Sequence, residues 1–106
     1  MLFEWDENKN RRNQIKHGIG FQTASYVFGD EFLLSEIDDR YAYYEERWKT
    51  TGLVAYDLIC VAHTLENIDE EEIIRIISAR AASTRETRRY RIHRGHARGI
   101  TSIKTS

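Results

Sequence analysis

The chain has no proline, a single cysteine and no long apolar run among its 106 residues. One cysteine excludes a disulfide framework, and Cys60 lies in the apolar run Leu58–Ala62, where we expect a buried structural thiol. No stretch approaches the roughly 20 apolar residues that a transmembrane helix needs. The first residues also lack the basic and apolar segments of a signal peptide. These absences predict a soluble cytoplasmic protein that does not contact membranes.

The charged residues are divided unevenly along a chain whose net charge is only -1. From residue 75 to the end, nine Lys and Arg face one acidic residue, whereas residues 1–74 hold seven Lys and Arg and sixteen Asp and Glu. This separation indicates an anionic ligand or partner for the basic part, and a basic partner or self-association for the acidic part. The alternative is an ordinary solvated charged surface. A length of 106 residues predicts one domain with a modest core.

The first third of the chain predicts a short strand and two helices. The strand covers about Leu2–Trp5, and Asp6 is a good N-cap for a helix that ends near His17, before Gly18. This helix carries a polar stripe that is either functional or simply exposed, formed by Lys9, Asn13 and Lys16. A second helix has an apolar face suited to covering a sheet, formed by Phe21, Ala24 and Phe28.

From Phe32 onward the apolar period is two, which is typical of strands. Four strands are predicted, with a tyrosine-rich turn at 39–44 after the first of them: Phe32–Asp38, Glu45–Val54, Leu58–Glu66 and Glu71–Arg80. The last two form a hairpin, and its register decides which side chains meet. If its loop has an odd number of residues, His63 lies opposite Arg75 on one face. If the number is even, Ala62 takes that place and His63 faces Ile74.

These strands hold polar residues that packing alone does not explain: Glu45, Arg47, Lys49, His63 and Arg75. The alternative for a lone strand histidine is a hydrogen-bonded core residue. No compact His/Cys set predicts a metal, and no glycine-rich loop or nucleophile motif predicts another cofactor or acyl transfer. What remains is acid–base chemistry beside fixed positive charge. RNA cleavage needs just that, because the 2'-hydroxyl of RNA supplies the nucleophile.

A basic helix is predicted after the last strand, because Ser83 and Glu86 have the spacing of a capping box. One face of this helix is basic, with Arg85, Arg88 and Arg89, and the other holds Glu86 and Tyr90. So polar a helix is better suited to an outward docking surface than to deep burial. Arg80, at the end of the strand, either holds a phosphate or forms a salt bridge with Glu86.

A set of spaced residues covering about Leu2 to Tyr90 resembles the BrnT toxin family. The matching segments are Trp5-Asp6-x2-Lys9-x3-Asn13-x2-Lys16-His17-Gly18, Phe21-x2-Ala24-x2-Val27-Phe28-x-Asp30, Glu45-x-Arg47, Gly52, His63-Thr64 and Arg75-Ile76-Ile77-Ser78-Ala79-Arg80-Ala81. The resemblance implies an α+β fold similar to RelE-type ribonucleases, with N-terminal helices packed on a small antiparallel β-sheet and a C-terminal helix. We expect one toxin domain over residues 1–91 and a flexible basic tail over 92–106.

The resemblance also implies a ribonuclease toxin of a type II toxin-antitoxin system that cleaves RNA and inhibits translation. Its partner would be a BrnA-like antitoxin, and operator DNA would be bound only through the complex of the two proteins. The resemblance leaves open whether that complex contains a dimer. The alternative is a non-catalytic module that binds RNA or the antitoxin.

Physical chemistry suggests roles for the matched polar residues. Glu45 or His63 would be the general base, and His63 the better general acid. Arg47 and Arg75 would stabilise the charge of the transition state. Flanking RNA would be held by Lys9, Lys16, Lys49, Arg80 and Tyr90. No metal or other cofactor is expected.

Overall fold

The computed structural model describes residues 1–41 and 45–97. In chain order the elements are β1 (Leu2–Glu4), α1 (Glu7–His17), α2 (Phe21–Ser25), a 3-10 turn (Tyr26–Gly29), β2 (Leu34–Ile37), a second 3-10 turn (Asp39–Tyr41), β3 (Trp48–Val54), β4 (Asp57–Ile68), β5 (Glu71–Ala81) and α3 (Thr84–Ala97). The predicted α+β class is confirmed. None of the helices in the described ranges is long and apolar enough to cross a membrane.

The five strands form one sheet in the order β1-β5-β4-β3-β2. Three of the four pairings are antiparallel, whereas β1 pairs with β5 in parallel. The expected antiparallel sheet is present in three of the pairings, and the parallel pair at the β1 edge departs from it. A parallel pair needs a long connection, and here the whole intervening chain provides it.

One face of the sheet packs against α2 and the adjacent 3-10 turn and forms the hydrophobic core. The core consists of Phe21, Ala24, Val27, Ile59, Val61, Ile74, Ile76 and Ala79. Gly52 in β3 permits this close packing, since a Cβ there would lie 2.7 Å from Cγ1 of Val27. The predicted apolar face of the second helix is confirmed, although its last turn is 3-10 rather than α-helical. We call this side of the sheet the core face.

Helix α1 begins and ends where the sequence predicts. The Asp6 side chain accepts hydrogen bonds from the backbone N–H groups of Asn8 and Lys9, and Gly18 ends the helix with φ of 71°. Asn13 explains part of the polar stripe. Its amide nitrogen donates to the Ala79 carbonyl at 2.8 Å, and its amide oxygen accepts from the Ala79 N–H at 3.1 Å. This side chain therefore pairs with β5 beyond the end of β1.

The β4–β5 hairpin has a register that neither alternative predicted. Its loop is the two residues Asp69 and Glu70, both with positive φ. Thr64 consequently lies opposite Arg75, and His63 lies opposite Ile76. Side chains that lie opposite each other point to the same face, and neighbours along a strand alternate. His63 therefore points to the core face and Arg75 to the other. The two residues are on opposite faces, as the even-numbered alternative implied, although the residues that pair are different.

Helix α3 begins with the predicted capping box. The Glu86 N–H donates to Oγ of Ser83 at 3.1 Å, and the Ser83 N–H donates to Oε1 of Glu86 at 2.9 Å. The helix continues to Ala97, so it includes residues 92–97 of the expected tail. The remainder of that tail, residues 98–106, and residues 42–44 of the tyrosine-rich turn lie outside the described residues.

Candidate functional site

The face of the sheet opposite the core face bears a basic cleft of about 110 Å³. Four cationic side chains and one carboxylate line it over a floor of smaller residues: Asp38, Arg40, Arg47, Lys49, Cys60, Ala62, Ile77, Ser78 and Arg80. A β-bulge shifts the β4–β5 register here, because Ala62 pairs with Ser78 whereas the next residue, His63, pairs with Ile76. Small side chains on the strands leave room between the longer cations. We call this feature the basic cleft.

Three of the four predicted catalytic residues meet beside the basic cleft, and we call them the Glu45 cluster. Nη2 of Arg75 donates to both carboxylate oxygens of Glu45, at 2.9 and 2.7 Å. Nε of Arg47 lies 3.7 Å from Oε1 of Glu45. The side chains of Glu45, Arg47 and Arg75 are 41%, 31% and 38% exposed, so a ligand in solvent can reach all three.

Glu45 and Arg47 precede β3, which begins at Trp48 rather than at Glu45 as the alternation predicted. The Arg47 carbonyl accepts a 2.7 Å hydrogen bond from the Asp38 N–H, which ties this segment to the end of β2. This backbone hydrogen bond holds Arg47 where its side chain lines the basic cleft. The predicted strand Glu45–Val54 included both Glu45 and Arg47, but the alternation of side chains along a strand does not apply to them because they precede β3.

At the other side of the basic cleft, Arg80 and Lys49 share the carboxylate of Glu86. Nη1 and Nη2 of Arg80 donate to its two oxygens at 2.7 and 2.9 Å, and Nζ of Lys49 donates at 3.1 Å. Arg80 is the chief reason that the pKa of Glu86 falls far below its ordinary value. The predicted salt bridge is confirmed, and it coexists with the cleft because Arg80 and Lys49 also line it.

Two charged residues of the cleft were missed by the sequence analysis. Nε and Nη2 of Arg40 donate to the carboxylate of Asp38 at 2.9 and 2.8 Å. This hydrogen-bonded pair lowers the pKa of Asp38. Asp38 follows β2 and Arg40 lies in a 3-10 turn, where no side-chain period exists to assign a face. The same cleft contains Cys60, and burial raises the pKa of its thiol to about 11, which confirms the expected buried thiol.

His63 lies in the core and not in the basic cleft. It is only 2% exposed, and its ring meets the Phe28 ring edge-on with 4.9 Å between centroids. Nδ1 donates to the Thr64 carbonyl at 3.1 Å, and Nε2 lies 2.6 Å from Oγ1 of Thr50. Burial lowers the pKa of His63. The geometry matches the hydrogen-bonded core histidine that was the alternative, and His63 is separated from the Glu45 cluster by the sheet.

Three residues predicted to bind RNA also lie away from the cleft lining. Tyr90 is buried, and its hydroxyl donates to Oδ2 of Asp30 at 2.6 Å. Burial is the main cause that raises the pKa of Tyr90 to about 12. Lys9 and Lys16 belong to α1 and are not among the residues that line the basic cleft.

The arrangement suits an anion better than a cation. Within residues 1–41 and 45–97, no group of three or more His, Cys, Asp or Glu side chains is placed to hold a metal ion. The cleft instead gathers guanidinium and ammonium groups, which make strong charge-assisted hydrogen bonds to phosphate oxygens. A carboxylate at its edge adds a proton acceptor. Such a set can bind a polyanion and stabilise charge that develops on a phosphorus centre.

A protein-family model described as the ribonuclease toxin, BrnT, of type II toxin-antitoxin system matches residues 5–86. The matched range includes the Glu45 cluster, every residue of the basic cleft and Glu86. No curated protein matches the chain. Because the match covers most of its length, the chain belongs to the BrnT family of ribonuclease toxins of type II toxin-antitoxin systems.

Proposed function

We propose that this protein is a metal-independent endoribonuclease toxin with a RelE-like fold that cleaves RNA at the Glu45 cluster and thereby inhibits translation. One observation carries the proposal. The Glu45 carboxylate is solvent-accessible, is held by Arg75 and Arg47, and lies beside a cleft lined by four cations. A polyanion bound in the cleft would therefore lie next to a proton acceptor, Glu45, that is flanked by two guanidinium groups.

The cleavage step needs only these residues and the RNA. Glu45 removes the proton of a 2'-hydroxyl, and the 2'-oxygen attacks the adjacent phosphorus. The bond from phosphorus to the 5'-oxygen breaks, and that oxygen takes a proton from water. The products are a 2',3'-cyclic phosphate and a 5'-hydroxyl end. Arg75 and Arg47 stabilise the extra negative charge on the phosphoryl oxygens, an effect for which removal of one donor typically costs about 10²–10³ in rate.

His63 is not assigned to the chemistry in this proposal. Its ring lies on the core face, and both of its nitrogens face protein partners, Thr50 and the Thr64 carbonyl. A general acid or base must come within hydrogen-bond reach of the substrate proton. We therefore assign His63 to stabilising the sheet under α2, and the proton transfer to Glu45.

A type II toxin requires a neutralising antitoxin, and we propose a BrnA-like protein in the cytoplasm as that partner. The exposed arginines Arg85 and Arg88 of α3 offer it a basic docking surface. Operator DNA would be bound only by the complex of both proteins. Co-expression with the neighbouring open reading frame, followed by pull-down and growth curves, tests this pairing. Rescue of growth together with co-purification is the expected result.

Cleavage of a labelled RNA in EDTA tests the enzymatic proposal. Wild-type protein should yield 2',3'-cyclic phosphate ends, and an RNA in which every 2'-hydroxyl is replaced by hydrogen should stay intact. Glu45→Gln and Arg75→Ala should each lower the cleavage rate by about 10²–10³. Arg12→Ala is the matched control, because Arg12 is an exposed arginine of α1 away from the cleft.

The outcomes separate the enzyme from a binding module. RNA binding by the wild type without cleavage in EDTA or in added divalent metal would support the non-catalytic alternative. Cleavage only with divalent metal would overturn the metal-independent mechanism. Full activity of both Glu45→Gln and Arg75→Ala would overturn the assignment of the Glu45 cluster.

A further inference from the structure

We infer that Lys49 and Arg80, held in place by Glu86, form a second phosphate subsite, so that the preferred substrate is a single strand extending several nucleotides from the cleaved bond. We call these three residues the phosphate clamp. The inference deepens the proposed function and rests on it. Glu86 acts in it as a positioning residue, since it fixes the two cations and does not itself bind RNA.

The clamp keeps hydrogen-bond donors available for a ligand. A guanidinium group has five N–H donors, and Arg80 makes three hydrogen bonds with the described residues, two to Glu86 and one to the Ala81 carbonyl. An ammonium group has three donors, and within the part of the chain that the structure describes Lys49 makes one hydrogen bond, to Glu86. With two cations and one carboxylate, the clamp also keeps a net positive charge. It can therefore bind a phosphate without breaking its internal ion pairs.

Glu86 is held rigidly on α3. It accepts from the Ser83 N–H while its own N–H donates to Ser83, so the capping box fixes it at the helix start. One turn further along, Tyr90 anchors the same helix to Asp30. The carboxylate thus holds two like charges at fixed positions that would otherwise repel each other and extend into solvent. Such preorganisation lowers the entropic cost of binding a phosphate.

The clamp is separated from the Glu45 cluster along β5. Arg75 and Arg80 are five residues apart and lie on the same side of the sheet, which corresponds to about 16 Å of extended chain. A stacked strand rises about 3.4 Å per nucleotide, so roughly five nucleotides cover this distance. Arg47 of the Glu45 cluster and Lys49 and Arg80 of the clamp all line the basic cleft, so its cations can contact the phosphates of one strand that spans both sites. A single strand that reaches both sites is the substrate that fits.

A length series of RNA oligonucleotides tests the clamp. For the wild type we expect kcat/KM to rise at least about tenfold from a dinucleotide to an octanucleotide, mainly through KM. Glu86→Gln keeps a residue that suits the capping box but removes the charge. This variant should lose most of the length advantage, which is the ratio of kcat/KM on the octanucleotide to kcat/KM on the dinucleotide. Glu72→Gln is the matched control, because Glu72 lies at the far end of β5.

Binding of DNA octanucleotides, which lack the 2'-hydroxyl, keeps the clamp testable if no RNA is cleaved. Glu86→Gln should weaken this binding about tenfold in the wild-type background and have no further effect when Arg80 is replaced by alanine. Arg80→Lys, which keeps the charge but cannot form the two-pronged bond, gives the same test if Glu86→Gln does not fold. Equal binding of dinucleotide and octanucleotide, or tighter binding by Glu86→Gln, would overturn the clamp. Absence of cleavage with length-dependent binding intact would overturn only the proposed function.

Discussion

The two faces of the sheet treat polar side chains in opposite ways. On the core face, Ser35, Thr50 and His63 form a chain of neutral hydrogen bonds, with Oγ of Ser35 2.7 Å from Oγ1 of Thr50 and that oxygen 2.6 Å from Nε2 of His63. On the other face, Glu45 and Glu86 each hold two cations in partly exposed ion pairs. A polar residue in a strand therefore indicates function only when the face to which it points is known.

The difference follows from the cost of burying charge. A neutral imidazole with both nitrogens hydrogen-bonded is tolerated in a core, whereas an ionised group is not unless it is paired. On the cleft face, solvent screens the ions and leaves them accessible to a ligand. The core face therefore contributes mainly to stability, whereas the opposite face, which bears the basic cleft, keeps charges available for binding. Changes to the two faces should accordingly affect different measurements.

His63→Ala should disrupt the packing of the core face and should lower stability more than any other substitution considered below. It removes a buried ring, two hydrogen bonds and the edge contact with Phe28, and should lower the free energy of unfolding by about 3 kcal/mol. Urea denaturation followed by circular dichroism measures the loss. The more conservative His63→Gln should fold, and its cleavage rate per folded molecule should equal that of the wild type.

A catalytic His63 would give the opposite pattern. In that case His63→Gln would retain its stability and lose cleavage, and the proton transfer assigned to Glu45 would have to be revised. Leu65→Ala is a suitable control for substitution in β4, because Leu65 lies two residues along the same strand and is partly exposed. Its effect on both measurements should be small.

The sequence predicts local features of this fold well and the pairing of distant residues poorly. The Asp6 cap, the αL residue Gly18 and the Ser83–Glu86 capping box depend on neighbours within four residues, so spacing alone identifies them. The hairpin register depends on the two-residue loop at Asp69 and Glu70. Two-residue turns with positive φ usually contain glycine, and neither Asp69 nor Glu70 is glycine. The sequence of the loop therefore does not indicate the length of the turn.

The candidate site was predicted only in part, because its cations can be identified from residue type but their distant partners cannot. Arg47, Lys49 and Arg80 are all in the cleft lining, as their basic character indicated. The partner of Tyr90 is Asp30, 60 residues away, and no periodic pattern links the two. Tyr90 was therefore predicted to hold RNA, whereas in the structure its hydroxyl anchors α3 to Asp30.

Tyr90→Phe should have a smaller effect on stability than His63→Ala. It removes the hydroxyl that donates to the Asp30 carboxylate but keeps the buried ring, so it should cost about 1.5–3 kcal/mol in the free energy of unfolding. Because α3 carries Glu86, we also expect weaker octanucleotide binding with unchanged dinucleotide cleavage. Urea denaturation and the oligonucleotide series measure both. Unchanged stability would show that this bond does not anchor α3.

The pH dependence of stability distinguishes the titratable groups on the two faces of the sheet. Burial places the pKa of His63 below its ordinary 6.5, so between these values the unfolded chain binds more protons than the folded one. Stability should therefore fall as the pH drops below about 6.5, by at most about 1.4 kcal/mol per pH unit. On the face that bears the basic cleft, the pKa of Glu86 lies below its ordinary value of 4.5. Ionised Glu86 therefore stabilises the fold above pH 4.5, and this contribution is lost only as the pH falls further.

Urea denaturation of the wild type and His63→Gln from pH 8 to 4 measures the two pH ranges. The variant should lose the slope between pH 6.5 and 5 and keep the one below 4.5, because only the core face has changed. An identical slope in both proteins over the upper range would show that His63 is not the group that titrates there.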